Sequence, residues 1–287
     1  MTPDEAYAAC ARVARGHYEN FPVASLLLPP PMRPHIAAIY AFARAADDLA
    51  DEGDRPAAER LRLLDDWHAR LRACAAGRSG DTAVFVALGE TIRTCALPLA
   101  LFEDLLSAFR QDVTTTRYAT WPDLLDYCRR SANPIGRLVL RVAGHGDGRL
   151  DEASDAVCTA LQLTNFWQDL ERDWRKGRIY VPRETLDRMG ASERDLDGRA
   201  MTPAWRAALA DMAAHTRALF DQGRPVCDGV AGRLRYELRF TWLGGRRILD
   251  RLEQAGFDVF AARPSLGAAD LAALAWSAVA WRPAART

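Results

Sequence analysis

Polar and apolar positions recur at helical spacing along almost the whole chain. Ala, Leu, Arg and Glu repeat in 3.6-residue patterns, and no alternating runs of Val, Ile, Thr or Tyr closed by Asn-Gly turns interrupt them. The pattern predicts helices over 3–16, 33–52, 56–76, 81–95, 98–112, 121–144, 151–176, 182–189, 203–223, 228–253 and 266–281. Breakers such as LPPPMRP, GRSGD, GHGDGR, KGRIYVP and DGRAMTP separate them. None is long enough for a flexible linker and no solenoid period is visible. The expected architecture is therefore all-α, with residues 1–287 forming a single domain.

Two helices end unusually. In YAFARAADDLADEGD, reading back from Asp47 gives Ala43, Tyr40 and Ile36, a stripe of core type; reading forward, the stripe meets Asp51. Asp47, Asp48, Asp51 and Glu52 repel one another at i,i+4 and sit at the negative end of the helix dipole, each effect costing a few tenths of a kcal/mol or more. A positive charge should offset this, and Arg44 and Arg55 are the local candidates. In CTALQLTNFWQDLERDWRKGRIYVP, the side chains of Gln162, Asn165, Asp169 and Asp173 fall within about 80° of one another. Leu163, Trp167, Leu170 and Trp174 form an apolar stripe beside them, and Glu171, Arg172 and Arg175 fill the remaining arc. With the solvent side taken, the oxygen stripe is expected to face an internal cavity.

Either helix alone reads equally well as a solvated face with ordinary salt bridges. Two Asp-x-x-x-Asp helix ends without His or Cys fit a hard cation instead. Mg²⁺ in particular combines one or two carboxylates with substrate phosphates and water. A mouth of that kind over apolar walls would clamp a diphosphate as leaving group and shelter a carbocation, the chemistry of an isoprenoid diphosphate enzyme.

Composition narrows the picture further. Basic and acidic residues balance at 38 each, which argues against nucleic acid or an acidic surface as main partner. Lys176 is the one lysine, so arginine counts reflect composition bias and carry little weight. The six cysteines show no C-x-x-C pair and are expected to be reduced and packed. The N-terminal MTPDEAYAACARVARGHYENF carries acids where a signal peptide carries bases, so a cytoplasmic protein is expected. GAADLAALAWSAVAWRP is shorter than the ~18 to 20 residues that span a bilayer and contains Asp270; it reads as a terminal helix able to touch a membrane surface.

The motifs YAFARAADDLADE and LTNFWQDLERDWRKGRIYVP make the chain resemble the squalene/phytoene synthases, over about residues 7–255. The resemblance implies one isoprenoid-synthase helical bundle around a central cavity. It also implies a magnesium site made by Asp47, Asp51, Asn165, Asp169 and Asp173, the same residues being catalytic. HYENFPVAS, YCRRSANPIGRLVL and NFWQD are similar to one branch, the bacterial hydroxysqualene synthases of hopanoid biosynthesis. That branch implies ionisation of presqualene diphosphate, rearrangement of the cation and capture by water, without a hydride donor. Three departures, Glu19-Asn20-Phe21-Pro22, Gln168 and GGRRILD, weigh against the first half-reaction, condensation of two farnesyl diphosphates.

Further substrate-binding candidates are His17, which matches an early family His, Tyr40 and Tyr127 as cavity-lining aromatics, and Arg44, Lys176, Arg178 and Tyr180 near the diphosphate. Asn133 precedes Pro134 in a helical pattern, which reads equally as a plain helix bend or as a kink whose freed carbonyl and Asn133 amide line the cavity. Trp67, His68, Asp65 and Asp66 read as an ordinary exposed face with a core Trp. Two alternatives remain open: an enzyme of the same fold making presqualene diphosphate or squalene, and a non-catalytic helical partner subunit. A di-iron scaffold would want Glu-x-x-His pairs, which are lacking. Peripheral membrane contact and transient contact with other squalene-pathway enzymes complete the expected partners.

Overall fold

The computed structural model describes residues 1–16, 27–78 and 80–282; His17 and Glu19 to Pro22 lie outside the described residues. In chain order the helices are α1 (Pro3–Gly16), α2 (Arg33–Asp51), α3 (Ala57–Ala75), α4 (Ala83–Cys95), α5 (Leu99–Asp112), α6 (Trp121–Ser131) and α7 (Asn133–Val142). They continue as α8 (Gly148–Gln168), α9 (Leu170–Arg175), α10 (Arg183–Met189), α11 (Pro203–Gly223), α12 (Val226–Gly229), α13 (Gly232–Gln254) and α14 (Ala268–Val279). Short 3-10 turns at Pro30–Met32 and Glu193–Gly198 were not foreseen. No strand occurs among the described residues, so the all-α expectation holds. None of the described helices is long and apolar enough to cross a membrane.

Three predicted helices are each broken in two. The 121–144 segment breaks at Ala132, because Pro134 has no N–H to donate and is tolerated in the first turn of a new helix, α7. The 228–253 segment separates into α12 and α13. The 151–176 segment starts earlier, at Gly148, and bends at Asp169, whose φ of −101° and ψ of 10° leave the helical region.

Residues Met1–Thr114 with Pro134–Asp151 form one compact unit, and Thr115–Asn133 with Glu152–Thr287 form a second. In the first, α1 lies against α2 and α4 through Ala6, Cys10, Ala14, Ala37, Ala38, Ala41 and Ala87, small side chains that let helices approach closely. Below them Phe42 stacks on Trp67, with Phe85 and Phe102 edge-on to it. Trp67 is thus a core residue, while His68 hydrogen-bonds Glu103 and Asp65 pairs with Arg110, as an outward face should. In the second unit, fully buried Trp167 and Trp205 donate to Thr216 and to the Ser192 carbonyl. Gly245 of α13 is needed for its size: a Cβ there would lie 2.5 Å from Leu161 and 2.7 Å from Phe220.

Candidate active site

Helix α2 buries Ile36, Ile39, Phe42, Ala46 and Ala50, and on the flank of that stripe Tyr40, Asp47 and Asp51 are half-buried. A surface helix would carry its acids fully outside; here they stand at the edge of the packed face. Arg44 offsets them, its guanidinium 2.7 Å from Asp48 and 3.6 Å from Asp47. The charge at the helix end differs from expectation. Arg60 of α3 donates to the carbonyls of Ala50 (2.7 Å), Gly53 (2.5 Å) and Arg55 (3.0 Å), so Arg55 enters through its carbonyl and Arg60 supplies the cation. A guanidinium on terminal carbonyls satisfies acceptors that the helix leaves open and opposes the dipole.

The second motif keeps its register through the bend. Asp169 N–H donates to the Asn165 carbonyl (2.8 Å) and Asp173 N–H to the Asp169 carbonyl (2.9 Å). Asn165, Asp169 and Asp173 therefore succeed one another at one-turn intervals, all half-buried, while Leu163, Trp167 and Leu170 are buried beside them. Trp174 is only half-buried, with Arg117 6.0 Å from its ring centre. Asp169 is held by a residue the sequence did not single out: Arg263 donates from Nε (2.5 Å) and Nη2 (2.9 Å) to the two carboxylate oxygens. Gln168 fixes the same loop by donating to the Pro264 carbonyl at 2.5 Å. Between them lies a groove of about 280 Å³ lined by Arg172, Arg175, Arg199 and Arg263 together with Glu171, which pairs with Arg175 and, at 3.1 Å, with Arg199.

Gly177 ends α9. Its φ of +76° is costly for residues with a Cβ, and it allows Arg178 N–H to reach back to the Asp173 carbonyl at 2.8 Å. Arg117 fastens this turn, donating to the Gly177 carbonyl (2.6 Å) and bidentately to Glu193 (2.8 Å each). Those hydrogen bonds hold the Glu193 carboxyl below its ordinary pKa. Lys176 is exposed and Arg178 half-buried. Beyond the turn, Ile179 and Arg183 donate to the carbonyls of Thr116 and Tyr118, which sets Tyr180 over Tyr118 with ring centres 5.8 Å apart.

An aromatic wall results. Phe166 stacks on Tyr180 at 3.7 Å with 5° between planes, and Tyr127 lies 6.1 Å from each. Tyr127 was expected as a cavity-lining aromatic and Tyr180 beside the diphosphate; Tyr118 and Phe166 were not singled out, although Phe166 adjoins Asn165. Asn133, buried at the α6–α7 break, accepts a hydrogen bond from Thr159 Oγ1 at 2.9 Å. Of the predicted residues, Tyr40, Arg44, Asp47 and Asp51 belong to the first unit. Tyr127, Asn133, Asn165, Asp169, Asp173, Lys176, Arg178 and Tyr180 belong to the second.

The donors are all oxygens at helical spacing. Among the described residues no three acidic, His or Cys side chains converge on one point. The donor chemistry, carboxylate and amide oxygens without His or Cys, is of the kind a hard cation such as Mg²⁺ takes.

The model of the squalene/phytoene synthase family matches residues 14–270. The hydroxysqualene synthase of Zymomonas mobilis is 41% identical over 223 residues, covering 76% of this chain and 73% of its own. That of Rhodopseudomonas palustris is 40% identical over 210 residues, covering 72% and 70%. The crystal structure of squalene synthase HpnC from Alicyclobacillus acidocaldarius superposes with a TM-score of 0.83 at 43% identity, over 89% of this chain and 95% of that one.

Proposed function

Because the chain belongs to the squalene/phytoene synthase family, we infer that it is a hydroxysqualene synthase, converting presqualene diphosphate and water to hydroxysqualene and diphosphate. The observation that carries this reading is identity near 40% to hydroxysqualene synthases across most of both chains.

In this reading Asp47, Asp51, Asn165, Asp169 and Asp173 would hold magnesium, whose positive charge would stabilise a diphosphate leaving group. Arg44, Lys176, Arg178 and Tyr180 bind the remaining diphosphate oxygens, and His17 is kept as a further substrate-binding residue. The carbon–oxygen bond breaks with its electron pair on the diphosphate, and the cyclopropylcarbinyl cation rearranges to an allylic one. Tyr40 and Tyr127 present π faces to that charge, each worth about 1 to 2 kcal/mol, and the stacked Phe166, Tyr180 and Tyr118 beside Tyr127 exclude bulk water from it. Asn133, oriented by Thr159, lines the same space. A single water adds to the final cation and loses a proton, so the electrons balance without a reductant. The reading requires residues 1–287 to work as one catalytic domain, with both acid motifs acting on one diphosphate. It assigns no role to nucleic acid; contact with a membrane surface and transient contact with neighbouring enzymes of squalene formation are proposed with it.

The test is product analysis of the purified protein given presqualene diphosphate and Mg²⁺ without NADPH. Hydroxysqualene is the expected product. Turnover of farnesyl diphosphate with none of presqualene diphosphate would overturn the assignment. Asp169→Asn and Asp47→Asn should each lower Mg²⁺-dependent diphosphate release by about a hundredfold or more with helix content unchanged. Unaltered release would remove these residues from the mechanism.

A further inference from the structure

Of the large hydrophobic side chains that stand exposed among the described residues, four lie on α13 and α14: Tyr236, Leu271, Trp276 and Val279. Helix α14 has twelve residues and seats itself by burying Asp270, Leu274 and Ala278. Asp270 is its one charged residue and it points inward. Its carboxylate accepts from Arg247 (3.2 Å), Arg251 (2.5 Å) and the Gly267 N–H (2.8 Å). The outward face is therefore Ala, Leu, Trp and Val with a single Ser and no charge, and on it Trp276 is 73% and Val279 65% exposed.

The rim of this face is aromatic and arginine-rich, with one acid in it: Asp228 accepts from Trp281 Nε1 at 3.0 Å and from Arg239 at 2.9 Å. Trp281 receives the guanidinium of Arg224 at 4.6 Å from its ring centre and that of Arg239 at 5.2 Å, and Arg239 also lies 6.0 Å from the Tyr236 ring. Arg282 follows, exposed. Residues 224–282 hold nine arginines against six acids, a local basic excess in a chain whose 38 basic and 38 acidic residues balance overall.

We propose that the outer face of α14, with its Trp, Tyr and Arg rim, docks in the surface of an anionic lipid bilayer, the helix lying in the plane of the headgroups. At 1.5 Å per residue the helix is about 18 Å long, too short to span a hydrocarbon core of about 30 Å but ample to lie along its boundary. Indole and phenol rings favour that depth, and the arginine excess complements anionic headgroups. A second copy seated on the same face would instead set two arginine-rich rims against each other. The inference rests on the proposed function only for its purpose: substrate and product are long hydrocarbons that partition into bilayers.

Co-sedimentation with vesicles of phosphatidylcholine containing about one third phosphatidylglycerol should show binding that weakens in pure phosphatidylcholine and in high salt. Lipids brominated near the headgroup should quench tryptophan emission, and Trp276→Phe should lose most of that quenching. Trp276→Glu combined with Val279→Glu should lower vesicle binding about tenfold or more, while turnover of detergent-dispersed presqualene diphosphate stays unchanged. The proposal is overturned by absence of vesicle binding, by binding that the double variant leaves intact, or by self-association through α14 without vesicle binding. Absence of vesicle binding by the unsubstituted protein, with turnover of presqualene diphosphate intact, sinks this inference alone. Docking without turnover of presqualene diphosphate sinks the substrate reading alone.

Discussion

Asp169 has one carboxylate and two calls on it. In the structure both oxygens accept from Arg263, and Arg172 stands 3.6 Å away; in the proposed reaction the same oxygens bind magnesium. A metal ion on Asp169 would compete with the guanidinium for these oxygens, which in that reading makes Arg263 the counter-ion of the metal-free state. Arg263→Gln should therefore lower stability by about 1 kcal/mol, roughly 2 °C in melting temperature, when Mg²⁺ is absent, and by clearly less when it is present with diphosphate. An equal loss in both conditions, read by thermal denaturation, would make the arginine a plain structural partner. The acids themselves were legible in the sequence because like charges at the negative end of a helix are an anomaly. Arg263 was not, since it lies 94 residues from Asp169 in a loop without periodicity. Arg117, which ties the Gly177 turn to Glu193, was hidden for the same reason.

At the scale of elements, the carboxylates of α2 depend on how the helix ends. The Ala50 carbonyl of the last turn and those of Gly53 and Arg55 just beyond the helix accept from Arg60, and Glu52 N–H closes the last turn on the Asp48 carbonyl at 3.0 Å. Arg60→Ala leaves those acceptors to water and returns the dipole to the acids, a loss of about 1 to 2 kcal/mol. Amide exchange at residues 48–53 should quicken while that in the middle of α2 does not; uniform exchange along the helix would contradict the capping role. Helix limits such as Arg33–Asp51 were readable because proline and glycine punctuate them by stereochemistry. The bend at Asp169 was unreadable, because no breaker marks it and Gln168, Asp169 and Leu170 all tolerate helix. It coincides instead with the two long-range ties to Arg263 and Pro264, which only the tertiary structure supplies.

Over the whole molecule, proton linkage sets a stability window with different chemistry at each edge. Hydrogen bonds from His68 and Arg72 hold Glu103 below its ordinary pKa, and those from Arg129 and Arg130 do the same for Asp126, as that from Arg188 does for Asp211. A carboxyl depressed in the folded state contributes stability above its unfolded pKa near 4 and loses it as pH falls through the folded value. On the alkaline side, burial pushes Cys10 and Cys74 up to about 11 and Cys227 up to about 12, and raises Cys128 as well. A raised thiol keeps its proton in the folded state and gives it up once unfolded, so its contribution is complete below about pH 8.5 and declines as pH rises from there. The melting temperature should hold a plateau between about pH 5 and 8.5 and fall on both sides, and at pH 8 iodoacetamide should label these four cysteines only after denaturation. Cys10 sits among alanines, so Cys10→Ala tests the alkaline edge with little change in packing. It should shallow the slope there by up to one proton, about 1.4 kcal/mol per pH unit. An unchanged slope would assign the alkaline loss to other groups, such as Tyr7, whose phenol burial also pushes upward.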